Sequence, residues 1–123
     1  MNRQGWLMLV AVLGILSGGA RAAGLSFDEA NRLSRGQVAQ ISASYEEKWD
    51  AVNGFNHLDE RDGCYEKSPG ALQQVLVIDA KGVVTDVIAD QDNDKARCFR
   101  NSYLNFQFPP PPFVPYYLYL KMQ

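Results

Sequence analysis

Residues 74–89 read QVLVIDAKGVVTDVIA, and this stretch decides the fold of the chain. Two runs rich in β-branched residues predict strands over Gln74–Asp79 and Val83–Ala89. The residues between them have turn chemistry, and Gly82 can adopt the left-handed backbone conformation that such turns require. Two strands joined by a turn of about four residues predict an antiparallel hairpin.

The chain after the hairpin predicts one helix and one further strand. The apolar spacing of Lys95–Leu104 is typical of a short helix. Pro109–Pro112 excludes a helix or a central strand and predicts an extended segment. Phe113–Met122 alternates in the manner of a last strand, and Pro115 near its start favours the edge of a sheet.

The chain before the hairpin predicts a long helical stretch. Ser26 and Glu29 fit a capping box, and apolar residues then recur at helical spacing as far as Val52. Gly36 is a candidate break between two helices, and Asn53-Gly54 is a stop signal. The element order is therefore α-β-β-α-β. This order predicts an α+β fold, a two-layer sandwich in which a three-stranded antiparallel sheet carries helices on one face.

Residues 1–22 predict a secretory signal peptide. Arg3 precedes an apolar run over 6–16, and residues 20–22 read Ala-Arg-Ala, the small-residue pattern that a signal peptidase cleaves. The alternative is an uncleaved anchor, but a membrane span needs about 20 apolar residues. We therefore expect export, with the periplasm as the predicted location and no stable membrane span after cleavage.

The predicted mature chain, residues 23–123, has the length of a single domain, with residues 23–54 as an N-terminal helical extension. Without Arg3 and Arg21 it holds 10 basic and 14 acidic residues, for a formal net charge of −4. Nucleic-acid-binding domains usually carry a basic patch. The composition therefore predicts no nucleic-acid partner.

Cys64 and Cys98 are the two cysteines of the chain. In an oxidising compartment an even number of cysteines indicates a disulfide. A metal site or a redox pair is the alternative. Both are disfavoured, because the thiols are 34 residues apart and the chain has a single histidine.

Candidate catalytic and metal-binding residues are sparse. His57, the one histidine, lies in a polar loop, and no Gly-x-Ser-x-Gly motif accompanies it or Ser68. Asp90–Asp94 has the alternating acids of a calcium loop, but Lys95 stands where that loop has glycine, so a helix-capping turn is favoured. We expect no enzyme activity, no catalytic residues, no cofactor and no metal.

One ordered set of motifs, spanning about 60 residues, resembles a known domain. The set resembles the C-terminal domain of TonB-type energy transducers, and more closely its two-cysteine relatives in gliding-motility and other envelope proteins. Its parts are Cys64-Tyr65-Glu66, the strand Gln74–Asp79, Gly82-Val83-Val84, Cys98, Phe106-Gln107-Phe108-Pro109-Pro110 and the Tyr-rich strand Val114–Leu120. The long Pro-rich spacer of the transducers is not among them, so the resemblance does not extend to energy transduction.

The resemblance implies that the last strand accepts an extended peptide from a partner by strand addition. Aromatic residues on both faces of that strand make Phe113, Tyr116, Tyr117 and Tyr119 the candidate partner-binding residues. The alternative is that Tyr117 and Tyr119 pack beneath the N-terminal helix or the proline segment. The expected function is non-enzymatic binding of a partner protein or peptide in the cell envelope. A periplasmic inhibitor or immunity protein against an envelope-targeting enzyme is the second hypothesis.

Overall fold

The structure is a computed structural model that describes residues 24–123. The predicted signal peptide and its cleavage site lie outside the described residues. The elements in chain order are α1 Phe27–Gly36, a 3₁₀ helix Val38–Gln40, α2 Ala43–Asn56, a second 3₁₀ segment Arg61–Glu66, β1 Leu72–Ile78, β2 Val84–Ala89, α3 Asp94–Tyr103 and β3 Tyr116–Met122.

The three strands form one antiparallel sheet in the order β2-β1-β3. Leu76, in the middle of β1, lies opposite Val87 of β2 on one side and Leu118 of β3 on the other. The predicted hairpin and the α+β class with a three-stranded antiparallel sheet are therefore confirmed. Because β1 is central, β2 and β3 both form edges, as the position of Pro115 predicts for the last strand.

The helical stretch before the hairpin divides at the glycine that the sequence indicates. α1 ends at Gly36, and its N-cap Ser26 accepts a hydrogen bond from the Glu29 N–H at 3.2 Å. α2 begins after Ser42, which caps it, and continues past the predicted stop signal to Asn56. His57 ends α2 in the left-handed conformation that often terminates a helix.

The helices lie on both faces of the sheet, so the prediction that they share one face is wrong. α1 packs on the face formed by Val75 and Ile88, where Ala30 is fully buried. α2 and α3 pack on the opposite face, which is formed by residues such as Leu76 and Leu118. Alternate positions of the strands are apolar on both sides, and each side needs a cover.

The larger core lies between the sheet and helices α2 and α3, and aromatic side chains dominate it. The ring of Trp49 stacks on Phe108 with centroids 4.7 Å apart, and it stacks on Tyr103 at 6.3 Å. Tyr45 meets Tyr116 edge to face at 5.0 Å. These contacts hold α2 against the start of β3 and the segment before the proline run.

The predicted disulfide is confirmed. Cys64, in the 3₁₀ segment before β1, is bonded to Cys98 in α3, and their Cα atoms are 5.4 Å apart. Within residues 24–123 no helix is both long enough and apolar enough to cross a bilayer. The disulfide is compatible with an oxidising compartment outside the cytoplasm.

Candidate functional site

The outer edge of β2 is covered by other parts of the chain. The Val84 N–H donates to the carbonyl of Phe106 at 3.0 Å, and the Val84 carbonyl accepts from the Asn105 N–H at 2.8 Å. Farther along, Arg100 donates to the carbonyl of Val87 at 2.7 Å. A covered edge has few free groups to offer another strand, so β2 is a poor template for strand addition.

Among the residues that the structure describes, those that cover the outer edge of β3 do so only along its first half. In an antiparallel pair, every second residue of an edge strand directs its N–H and C=O away from the neighbouring strand. Tyr117 is such a residue: its N–H donates to Gln37 Oε1 at 3.1 Å, and its carbonyl accepts from Ser34 Oγ at 3.1 Å. By alternation, Tyr119 and Lys121 direct their backbone groups to the same side.

The side chain of Gln37 forms hydrogen bonds with the first half of this edge, as the backbone of a neighbouring strand would. Its Nε2 donates to the carbonyl of Pro115 at 2.6 Å, while its Oε1 accepts from the Tyr117 N–H. A carboxamide has the same donor and acceptor as a peptide group, so the side chain imitates one pairing step of a neighbouring strand. The position available for strand addition therefore begins after Tyr117.

The second half of the edge, which we call the free edge, consists of Tyr119 and Lys121. Both residues are exposed. Within the described part of the chain, neither loop backbone nor side chains supply a partner for their N–H and C=O groups. The Tyr119 hydroxyl donates to Gln73 Oε1 at 2.7 Å, which holds the ring across the sheet and away from the backbone edge.

Exposed apolar side chains lie beside the β3 edge. Of the four large apolar residues exposed in the described chain, Val38 is 63% exposed, Val114 52% and Tyr119 37%; the fourth lies near the C-terminal end of α2. Val38 directly follows Gln37 in the chain, and Val114 directly precedes Pro115, the residue that Gln37 contacts. Val38 and Val114 therefore adjoin the first half of the edge, which Gln37 covers, whereas Tyr119 belongs to the second half.

A small cavity of about 90 Å³ lies between α2 and β3. It is lined by Tyr45, Glu46, Trp49 and Asp50 from α2 and by Tyr116, Leu118, Tyr119 and Leu120 from β3. Since side chains alternate along a strand, Tyr119 belongs to the opposite face of the sheet, so its presence in the lining brings the cavity to the strand edge. The cavity and the free edge are therefore neighbours.

Two residues of the cavity lining each carry a buried polar atom that has no hydrogen-bond partner in residues 24–123. These atoms are the indole Nε1 of Trp49 and the hydroxyl of Tyr116, in residues that are 4% and 0% exposed. Burial, and secondarily the charge of Glu46, raises the pKa of Tyr116 to about 12. Burial and the neighbouring Tyr116 raise the pKa of Tyr45 to about 12 as well, so both phenols stay neutral at physiological pH.

The four predicted partner-binding residues have different surroundings. Phe113 is half-buried, with its ring 5.3 Å from that of Tyr116, which is fully buried. Tyr117 is half-buried against the cluster beneath α1. Tyr119 is the exposed member, so the four side chains do not form one continuous surface. The backbone of β3 is therefore the part of the strand that is available to a partner, and Tyr116 lines the cavity beside it.

Sequence reasoning missed Gln37, Glu46 and Asp50. The acids had a usable signal, because Glu46 and Asp50 are four residues apart and so are neighbours on the surface of α2, and Glu46 is also a neighbour of Trp49 at i,i+3. Gln37 had none, because its contacts join residues about 80 positions apart in the chain.

The candidate catalytic residues are not brought together. His57 Nδ1 lies 2.9 Å from Glu60 Oε2, and both side chains are well exposed. Ser68 accepts instead from the Lys95 N–H at 3.3 Å. His57 and Ser68 therefore have different hydrogen-bond partners.

The acidic turn after β2 caps the N-terminus of α3 and forms ion pairs with it. Asn93 is the N-cap of the helix, and Arg97 forms ion pairs with Asp92 at 2.8 Å and Asp94 at 2.7 Å. Asp90 accepts from the backbone N–H of Gln73. Across the described part of the chain, no three His, Cys, Asp or Glu side chains are grouped so as to hold a metal ion.

In comparisons with models of protein families, with curated proteins and with solved structures, the chain matches none of them. The resemblance to TonB-type C-terminal domains therefore stays a prediction from the sequence.

Proposed function

We propose that this chain is an exported, non-enzymatic periplasmic protein that binds an extended segment of a partner protein by strand addition at the free edge of β3. The observation that carries the proposal is that the outward N–H and C=O groups of Tyr119 and Lys121 have no hydrogen-bond partner within residues 24–123, on a sheet whose other edge is covered. An unpaired edge is the feature that strand-addition ligands use.

The free edge is short, and its length limits what backbone pairing contributes. Two outward-facing residues offer about four hydrogen bonds, each with a net value of about 1 kcal/mol. Even before the entropy cost of association is subtracted, about 4 kcal/mol corresponds to a dissociation constant of only about 1 mM. A useful affinity therefore needs side-chain contacts as well, and the exposed Tyr119 and the cavity provide surface for them.

A partner segment fits this edge better than a second copy of the chain. The predicted mature chain has a net charge of −4, so two copies repel each other at long range. The resemblance to TonB-type domains supports the same type of ligand, an extended peptide. The disulfide supports a compartment such as the periplasm.

We expect Tyr119→Pro to lower the affinity for bound peptides at least tenfold. Ligands are first selected from a displayed library of random ten-residue peptides on the purified protein, and affinities are then measured by calorimetry. Proline removes the outward N–H of residue 119 without removing a hydrogen bond between β1 and β3, because that N–H faces away from β1. Tyr119→Ala is the matched control: it loses the ring and keeps the N–H, and we expect it to bind more tightly than the proline variant.

Circular dichroism and thermal unfolding test whether the variants fold. If Tyr119→Pro does not fold, Lys121→Pro is used in its place. A library that yields no enriched peptide contradicts the proposal. Equal binding by the folded proline variants and the wild type also contradicts it. Light scattering gives the oligomeric state of the wild type and of Tyr119→Pro. If the wild type is a dimer and Tyr119→Pro is a monomer, a second copy of the chain occupies the edge instead of a partner segment.

A further inference from the structure

We infer that the cavity between α2 and β3 binds a lysine or arginine side chain of the segment added to β3. This inference rests on the proposed strand addition and names the chemistry of the ligand. It depends on three features of the cavity: its place beside the edge, its charge and its unpartnered polar atoms.

The cavity lies where a side chain of an added strand would enter it. Leu118 and Leu120 line the cavity from the α2 face of β3, next to the free edge. A strand paired with β3 continues the pleat of the sheet, so every second one of its side chains lies on that same face. The volume of about 90 Å³ is several times what one water molecule needs, which is room for one slender side chain.

The charge of the cavity favours a cation. Glu46 and Asp50 lie one helical turn apart on α2, and both are exposed. Neither forms an ion pair with a basic side chain anywhere in the described residues. Two like charges at this spacing repel each other, and a bound ammonium or guanidinium group would relieve that repulsion.

The apolar part of the cavity suits the rest of a basic side chain. Tyr45, Trp49 and Tyr116 are among the residues that line the cavity, so part of its wall is apolar. The long methylene stem of lysine or arginine covers apolar surface while its charged end reaches toward Glu46 and Asp50.

The unpartnered atoms provide an observation independent of the acidic pair. The buried Tyr116 hydroxyl can accept a hydrogen bond from an ammonium or guanidinium group, and the Trp49 Nε1–H can donate to a carbonyl of the bound segment. An apolar guest would leave the hydroxyl unsatisfied. A carboxylate guest would face Glu46 and Asp50.

The test repeats the peptide selection on wild-type protein and on the double variant Glu46→Lys/Asp50→Lys. On the wild type we expect lysine or arginine to dominate one library position. Exchange of that residue for glutamate should weaken binding at least tenfold, and exchange for norleucine should weaken it severalfold. On the double variant we expect the basic preference to disappear and the glutamate peptide to bind more tightly than its basic parent.

Glu47→Lys is the matched control, since it adds a positive charge to the same helix at an exposed residue outside the cavity lining. We expect this variant to keep the basic preference. Enriched peptides without a basic position, or a basic preference that Glu46→Lys/Asp50→Lys does not alter, would overturn the inference and leave strand addition standing. If no peptide is enriched on any protein, strand addition itself fails.

Discussion

Replacing Cys64 and Cys98 together with alanine is expected to lower the free energy of unfolding by about 4 kcal/mol. The disulfide closes a loop across a sequence separation of 34 residues, and the chain-entropy relation for a loop of this size gives about that value. The loop contains β1 and β2, so the unfolded chain gains freedom in the segment that forms the hairpin. A domain of this size has a total stability of roughly 5–15 kcal/mol, so the loss is large.

Equilibrium unfolding in urea, followed by circular dichroism, measures this loss, and the melting temperature should fall by roughly 20 °C. Reduced wild-type protein is the control and should match the double alanine variant. A loss below about 1 kcal/mol for both would contradict the expectation, because the disulfide would then contribute little to restraining the unfolded chain.

Gly82→Ala is expected to cost about 3 kcal/mol, from two causes that add. Gly82 has a φ of +91°, which is unfavourable for any residue with a Cβ. An alanine Cβ there would also clash with the carbonyl oxygen of Phe108, a backbone atom that cannot move aside alone. Phe108 stacks on Trp49, and Pro109 accepts a hydrogen bond from Tyr45, so a shift of this segment disturbs the cavity lining too.

Gly70→Ala separates the two causes. Gly70 has a similar φ of +87°, but a Cβ at that position meets no atom within 4 Å. We therefore expect Gly70→Ala to cost about 1 kcal/mol, the strain alone. Chemical denaturation of both variants gives the comparison, and equal losses would contradict the close approach of Gly82 to Phe108.

The parts of the fold that sequence predicts well are local. The hairpin of β1 and β2, the turn at Gly82 and the caps at Ser26 and Asn93 each depend on residues within a few positions of one another. The side of the sheet that α1 covers is not local. Val75 and Ile88 are apolar residues on the face of the sheet that α1 covers. Apolar residues on both sides of a strand indicate that both faces of the sheet are buried, but they do not indicate which helix covers which face.

The candidate site also has a part that can be predicted from local sequence and a part that cannot. The strand that forms the edge is recognisable from Pro115 and the alternation of β3. The extent of the edge that stays free is decided by Ser34 of α1 and by Gln37, which follows α1; both contact β3 across about 80 residues of chain. No sequence motif predicts that the side chain of a glutamine will form the hydrogen bonds of a neighbouring strand.

Amide hydrogen exchange by NMR tests the central claim, strand addition at the free edge, most directly. Rates are compared for the purified protein alone and with a saturating peptide selected from the library. Strand addition predicts that the amides of Tyr119 and Lys121 exchange at least tenfold more slowly in the complex. It predicts little change at Tyr117, whose N–H is already bonded to Gln37. Peptide binding with unchanged exchange at Tyr119 and Lys121 would contradict strand addition at β3.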